Sequence, residues 1–67
     1  MMRQILIYIN MWKIDIKILG GRLLSEYKDN TIPHKDEFIY INDIVYKVSS
    51  VLYDYNSKYA SILVKEV

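Results

Sequence analysis

From Trp12 to Ile18 every second residue is large and apolar, and every residue between is charged. Trp12, Ile14, Ile16 and Ile18 alternate with Lys13, Asp15 and Lys17. A period of two fits a strand, whose successive side chains point to opposite faces. It does not fit a helix, whose apolar stripe recurs every three or four residues. The same period returns in Ile39, Ile41, Ile44, Tyr46 and Val48, in Val51, Tyr53 and Tyr55, and in Ala60, Ile62 and Val64. No long window carries helical spacing, and β-branched and aromatic residues crowd these segments, as pleated surfaces favour.

The turns divide the chain into hairpins. Gly20-Gly21 suits a tight turn that needs positive φ. A two-residue turn there sets Ile18 opposite Leu23, Ile16 opposite Ser25 and Ile14 opposite Tyr27. A three-residue turn would set Ile16 opposite the charged Glu26, so the shorter turn is expected. The polar stretch from Lys28 to Asp36 holds the only proline, Pro33, and reads as the longest loop. A second hairpin, Glu37 to Ile41 and Ile44 to Val48, turns at Asn42-Asp43. It pairs Ile41 with Ile44, Ile39 with Tyr46 and Glu37 with Val48. Ser49-Ser50 interrupts the alternation, as a bulge or corner does. Val51 to Tyr55 then turns at Asn56-Ser57 to meet residues 60–64. An even-length loop pairs Tyr53 with Ala60 and Val51 with Ile62. Residues 12–67 therefore read as a six-stranded antiparallel meander.

Sixty-seven residues make one small domain at most, with residues 1–10 as an N-terminal strand or arm and residues 12–67 as its body. Short antiparallel strands in a small chain hide their edges by curling. The expected fold class is all-β, a small antiparallel meander curled into an SH3-like barrel, with an extra N-terminal strand where residues 3–10 add one. Seven tyrosines, one tryptophan and one phenylalanine in a chain that is 52% hydrophobic argue against disorder. A chain this short has little surplus stability for a deep catalytic cavity.

The run from Ile32 to Val51 resembles a cadence found in small SH3-like barrel proteins of Bacteroidetes and their phages. A proline and an acidic turn precede an apolar-x-apolar strand, a tight turn and Tyr-x-Val-x-x-Val. Pro33, Glu37, Ile39, Ile41, Tyr46, Val48 and Val51 carry the resemblance. Lys35-Asp36 and Asn42-Asp43 stand where that pattern usually has glycine. The resemblance implies a barrel and a phage or mobile-element origin, such as a virion accessory subunit or an inhibitor of a host defence. It transfers no activity and no site residue.

Catalysis and metal chemistry find few candidates. His34 is the only histidine and sits in a loop, where exposure is expected; it is the side chain whose ordinary pKa lies nearest neutrality. One histidine and no cysteine cannot assemble the common zinc sites or a disulfide framework. Asp15 and Glu26 fall on the polar strand face beside Lys13, Lys17 and Lys28, and read as a solvated mixed-charge face. Asp29, Asn30, Asp36 and Glu37 lack the spacing of a calcium loop. Ser25, Ser49, Ser50, Ser57 and Ser61 have no histidine–acid partners in the pattern. Gly20-Gly21 is a turn and not a phosphate-binding loop. No enzyme, cofactor or metal is expected.

Nine basic and eight acidic residues give a net charge of +1, and the two signs alternate throughout. Nucleic acid and membrane surfaces are not the expected partners of such a balance. No stretch matches a signal peptide or a membrane span, so the expected location is cytoplasmic: host cytoplasm, or the virion if the chain is phage-encoded.

The second face carries the informative departure. Alternation sends Leu24, Phe38, Tyr40, Val45, Leu52, Tyr59 and Leu63 to the side opposite the core. Ile5, Ile7 and Ile9 belong to a segment that is apolar on both sides of any strand it forms. Large apolar side chains on a face that water would otherwise cover point to a protein partner or to self-association as a homo-oligomer. The expected contact residues are Phe38, Tyr40, Val45, Leu52, Tyr59 and Leu63, with Ile5, Ile7 and Ile9 at the edge. The alternative is that Leu6, Tyr8 and their neighbours cover that face within the monomer. The expected function is a small non-enzymatic binding or structural module. The competing reading is a barrel that captures nucleotides or single-stranded nucleic acid by tyrosine stacking, with exposed rings beside Lys47, Lys58 or Arg22.

Overall fold

The structure is a computed structural model that describes residues 11–67. Expectations for residues 1–10, including an N-terminal strand and the roles of Ile5, Ile7 and Ile9, lie outside the described residues. Five strands follow in order: β1 (Trp12–Ile18), β2 (Leu23–Asp29), β3 (Phe38–Ile41), β4 (Ile44–Asp54) and β5 (Tyr59–Glu66). They form one sheet in the order β2-β1-β5-β4-β3, curled into a half-barrel. The described residues are all-β, as their period-two pattern requires. No helix among the described residues is long and apolar enough to cross a membrane.

Two details of the expected meander are corrected. Residues 44–48 and 51–55 are not separate strands: β4 runs unbroken through eleven residues from Ile44 to Asp54. Its ladder with β5 shifts register between Val48 and Ser50, so the two serines mark a bulge within a continuous strand. The consecutive order also breaks between β2 and β3, which lie at opposite edges among the described strands. β1 instead pairs in parallel with β5, matching Ile14 to Ala60, Ile16 to Ile62 and Ile18 to Val64. These pairs are already in phase, so joining the two strands merges two apolar rows into one.

The core follows from that merger. Ile14, Ile16, Tyr46, Val48, Ala60, Ile62 and Val64 are buried, and Trp12, Ile18, Leu24, Tyr27, Ile32, Ile39, Ile41 and Val51 pack against them. The central strands β1 and β5 supply most of the fully buried side chains. Strands β2 and β3 contribute half-buried residues at the rim of the core, Leu24, Tyr27, Ile39 and Ile41.

The β1–β2 turn is longer than expected. Ile18 N donates to Arg22 O, which leaves Leu19, Gly20 and Gly21 as a three-residue loop. A bulge between Ile16/Lys17 and their partners then resets the ladder, so Ile16 meets Ser25 and Ile14 meets Tyr27 as the packing argument required. The extra residue is Leu24. Its side chain packs on the core, while Leu23 pairs with Lys17 and is exposed. The expected places of these two leucines are therefore exchanged. The other two turns match expectation: Ile41 pairs with Ile44 across Asn42-Asp43, and Asp54 pairs with Tyr59 across a four-residue loop. Asn42 and Asp43 both have positive φ, 50° and 68°. That is the backbone of a hairpin turn that follows strand twist.

Candidate binding surface

Directly paired residues share a face, so the ladder assigns the second face strand by strand. Tyr40 lies beside Val45, Phe38 beside Lys47, and Lys47 beside Lys65. Farther along, Leu63 lies between Lys17 and Ser50, and Ser61 lies between Asp15 and Leu52. Phe38, Tyr40 and Leu52 are 63%, 68% and 71% exposed, and Val45 is exposed as well. Tyr59 and Leu63 are only half-buried, being on the central strand with neighbours on both sides. The structure thus gathers Phe38, Tyr40 and Val45 at the β3 edge, and sets Leu52 apart from them toward the far end of β4.

The β3 edge differs from the β2 edge in charge. β2 reads Leu-Leu-Ser-Glu-Tyr-Lys-Asp, whereas β3 reads Phe-Ile-Tyr-Ile with no charge at all. Edge strands are ordinarily guarded against pairing by charged residues, proline or bulges. Among the described residues, the guards around β3 stand only at its ends. His34 N donates to Glu37 Oε1 at 2.5 Å, and Glu37 N returns to His34 O at 3.1 Å, which closes the turn before β3. The Tyr40 hydroxyl donates to Asp43 Oδ1 at 3.0 Å and so holds its ring against the turn. Lys47 Nζ lies over the Phe38 ring, 5.9 Å from its centroid, within reach of a cation–π attraction.

Asp15 is where the polar face departs from expectation. It is not solvated: only 8% of it is exposed. The Tyr59 hydroxyl donates to its Oδ2, and its buried Oδ1 has no hydrogen-bond partner among the described residues. Tyr59 lies two residues before Ser61, the direct partner of Asp15 on β5, so its ring reaches diagonally over the carboxylate. The hydrogen bond to Asp15, then burial and the nearby negative charge, raise the Tyr59 pKa above its ordinary value. Glu26 pairs with Asp15 on β2 and stays exposed.

A second aromatic group sits where β1 begins and β4 ends. Trp12 meets Tyr53 and Tyr55 edge-on, at 5.6 and 5.3 Å between ring centres, and the two tyrosines stack at 5.8 Å. Lys58 Nζ lies 5.2 Å from the Trp12 centroid. Tyr53 shares a face with Ala60, as its core assignment requires. The small alanine leaves the end of the core open, however, so Tyr53 is exposed and Tyr55 is 68% exposed. Alternation puts both on the face of Val51, which packs against the core; the small residue opposite Tyr53 is the signal that the core ends there.

Among the described residues, no group of three histidine, cysteine, aspartate or glutamate side chains could hold a metal ion. Asp29 Oδ1 instead accepts from the amides of Asn30 and Thr31, a local turn. His34 is exposed. Comparison with protein-family models, with curated proteins and with solved structures returns no match.

Proposed function

We propose that the chain is a non-enzymatic binding and structural module that associates with a second copy of itself along β3. The observation that carries this reading is an uncharged edge strand bearing exposed Phe38 and Tyr40. The hairpin is closed by the pair Ile41–Ile44. Bonding to the partner strand alternates from there, so the backbone groups of Phe38 and Tyr40 face outward. A two-fold axis through Ile39 pairs those outward groups. It sets Phe38 against Tyr40 of the partner subunit on the same face, as an isologous contact demands. The same register brings Lys35 toward Asp43 of the partner subunit, opposite charges at each end. Cross-strand aromatic pairs of this kind contribute about 0.5–1.5 kcal/mol beyond their area. Sedimentation velocity tests the reading: the expected species has twice the 8.0 kDa chain mass, and Tyr40→Lys returns it to a monomer. A wild-type monomer at millimolar concentration overturns it.

The nucleotide-stacking reading keeps one supporting observation, the exposed Tyr55 ring and Trp12 beside Lys58. It expects Trp12 fluorescence to quench on titration with single-stranded oligonucleotides, with binding that weakens as salt rises. No salt-sensitive quenching removes it.

A further inference from the structure

Lys47 on β4 and Lys65 on β5 are direct cross-strand partners. Like charges so placed are destabilising unless something neutralises them. Lys35, from the loop before β3, faces the same cavity of about 140 Å³, which Asp36, Val48 and Ser49 complete. That volume is roughly ten times what a single water requires. Asp36 is the one acid in the lining. Its carboxylate is 3.8 Å from Lys47 Nζ with both side chains well exposed. A pairing of that kind contributes little. Three cations against one weakly engaged anion leave an excess of two positive charges around one cavity, in a chain whose net charge is only +1. The backbone is irregular here on both sides. β4 bulges at Ser49, and Asp36 holds a positive φ of 72° while its amide donates to Val48 O. Those two departures from a regular ladder shape the cavity between the loop and the sheet.

We infer that this cavity is an oxyanion site and that its ligand is a phosphate group. A phosphate monoester carries about −1.5 to −2 charges at neutral pH, which matches the excess, whereas a carboxylate supplies one. Lysine ammonium groups act as point charges that suit a phosphate, and the Ser49 hydroxyl can donate to a further oxygen. The exposed Phe38 ring is not part of the lining but lies 5.9 Å from Lys47 Nζ, and it offers a surface for an aromatic group carried by the phosphate. Lys47, Ser49 and Lys65 lie on β4 and β5, off the β3 seam, whereas Lys35 and Phe38 are shared with it, so the site is read at the first three.

The test is amide chemical-shift titration with inorganic phosphate, at ionic strength held constant with chloride, alongside thermal unfolding. Saturating shifts at Lys47, Ser49 and Lys65 are expected, with a melting temperature that rises with phosphate. Lys65→Gln should raise the melting temperature in chloride, because a repulsion is removed, and weaken phosphate binding about tenfold. General stabilisation by phosphate, through its exclusion from the surface, persists in that variant and is thereby subtracted. Lys47→Gln should repeat the pattern. A parallel titration with adenosine monophosphate identifies the source. Tighter binding than inorganic phosphate assigns a phosphate presented on an aromatic base; equal binding assigns the phosphate alone. Shifts no larger than chloride gives, or an undiminished response in both variants, overturns the inference.

Discussion

Asp15 and Tyr59 show how one residue can depart from its pattern. Alternation sends Asp15 to the polar face, and it does go there, but a tyrosine two positions off its parallel partner covers it. Nothing local to residues 12–18 could signal this, because the covering ring arrives from the far end of the chain. Tyr59→Phe removes the hydrogen bond and leaves a buried carboxylate without its donor. The expected cost is about 2 kcal/mol, read by urea unfolding. The pH dependence has a definite sign. The unfolded chain releases the Tyr59 proton near the ordinary value of 10.0, and the folded chain releases it only at higher pH. Well below that ordinary value the proton is bound in both states and the contribution is complete. As pH rises through the gap the unfolded state deprotonates first, and stability falls. Tyr59→Phe should lessen that alkaline decline and remove one of two late-titrating phenols from the tyrosine absorbance curve, leaving Tyr27, which burial and then Asp29 also raise. Ile62 and Leu52 make a second contrast, similar side chains at opposite extremes of exposure. Ile62→Ala is expected to cost about 2–5 kcal/mol through transfer and cavity terms, whereas Leu52→Ala should stay within about 0.5 kcal/mol. Equal losses at both positions would contradict the assignment of faces.

The elements were legible wherever the signal was local. Asn42-Asp43 marked a hairpin whose two positive φ angles the structure shows, and Ser49-Ser50 marked a bulge. Asp43→Gly should stabilise that turn by roughly 0.5 kcal/mol, because glycine adopts positive φ without steric cost. The expected signature is a higher urea midpoint at an unchanged slope; a lower midpoint would show that the Tyr40–Asp43 hydrogen bond outweighs the backbone gain. Gly20-Gly21 was harder to read. Two glycines suggested a two-residue loop, and core packing agreed, because both arguments concern the final register alone. A three-residue loop followed by a bulge at Leu24 reaches the same register for Ile16 and Ile14. The pattern was right about the partners of Ile16 and Ile14, wrong about Ile18 and Leu23, and silent about the path between them. The exposed Tyr53 and Tyr55 follow the same logic, since alternation reports which side a residue takes but not where along the strand the core ends.

At the scale of the molecule, the least legible feature is the parallel contact between β1 and β5. Hairpins announce themselves through turns, but strands at the two ends of the described chain meet without one. Only matching apolar phase connects Ile14, Ile16 and Ile18 to Ala60, Ile62 and Val64. That contact moves β2 and β3 to the outer edges among the described strands, and so leaves the uncharged β3 with one described neighbour, β4. The charged second face near β1 and the aromatic one near β3 were both visible in the sequence. Which of them borders an edge was not, because edges are set by strand order. Self-association along β3 rests on this strand order, and amide hydrogen exchange at Phe38 and Tyr40 tests it most directly. Exchange at these two amides is expected to slow as protein concentration rises, while Tyr40→Lys leaves the Phe38 amide fast at every concentration. Fast, concentration-independent exchange at both positions in the wild-type chain would contradict it.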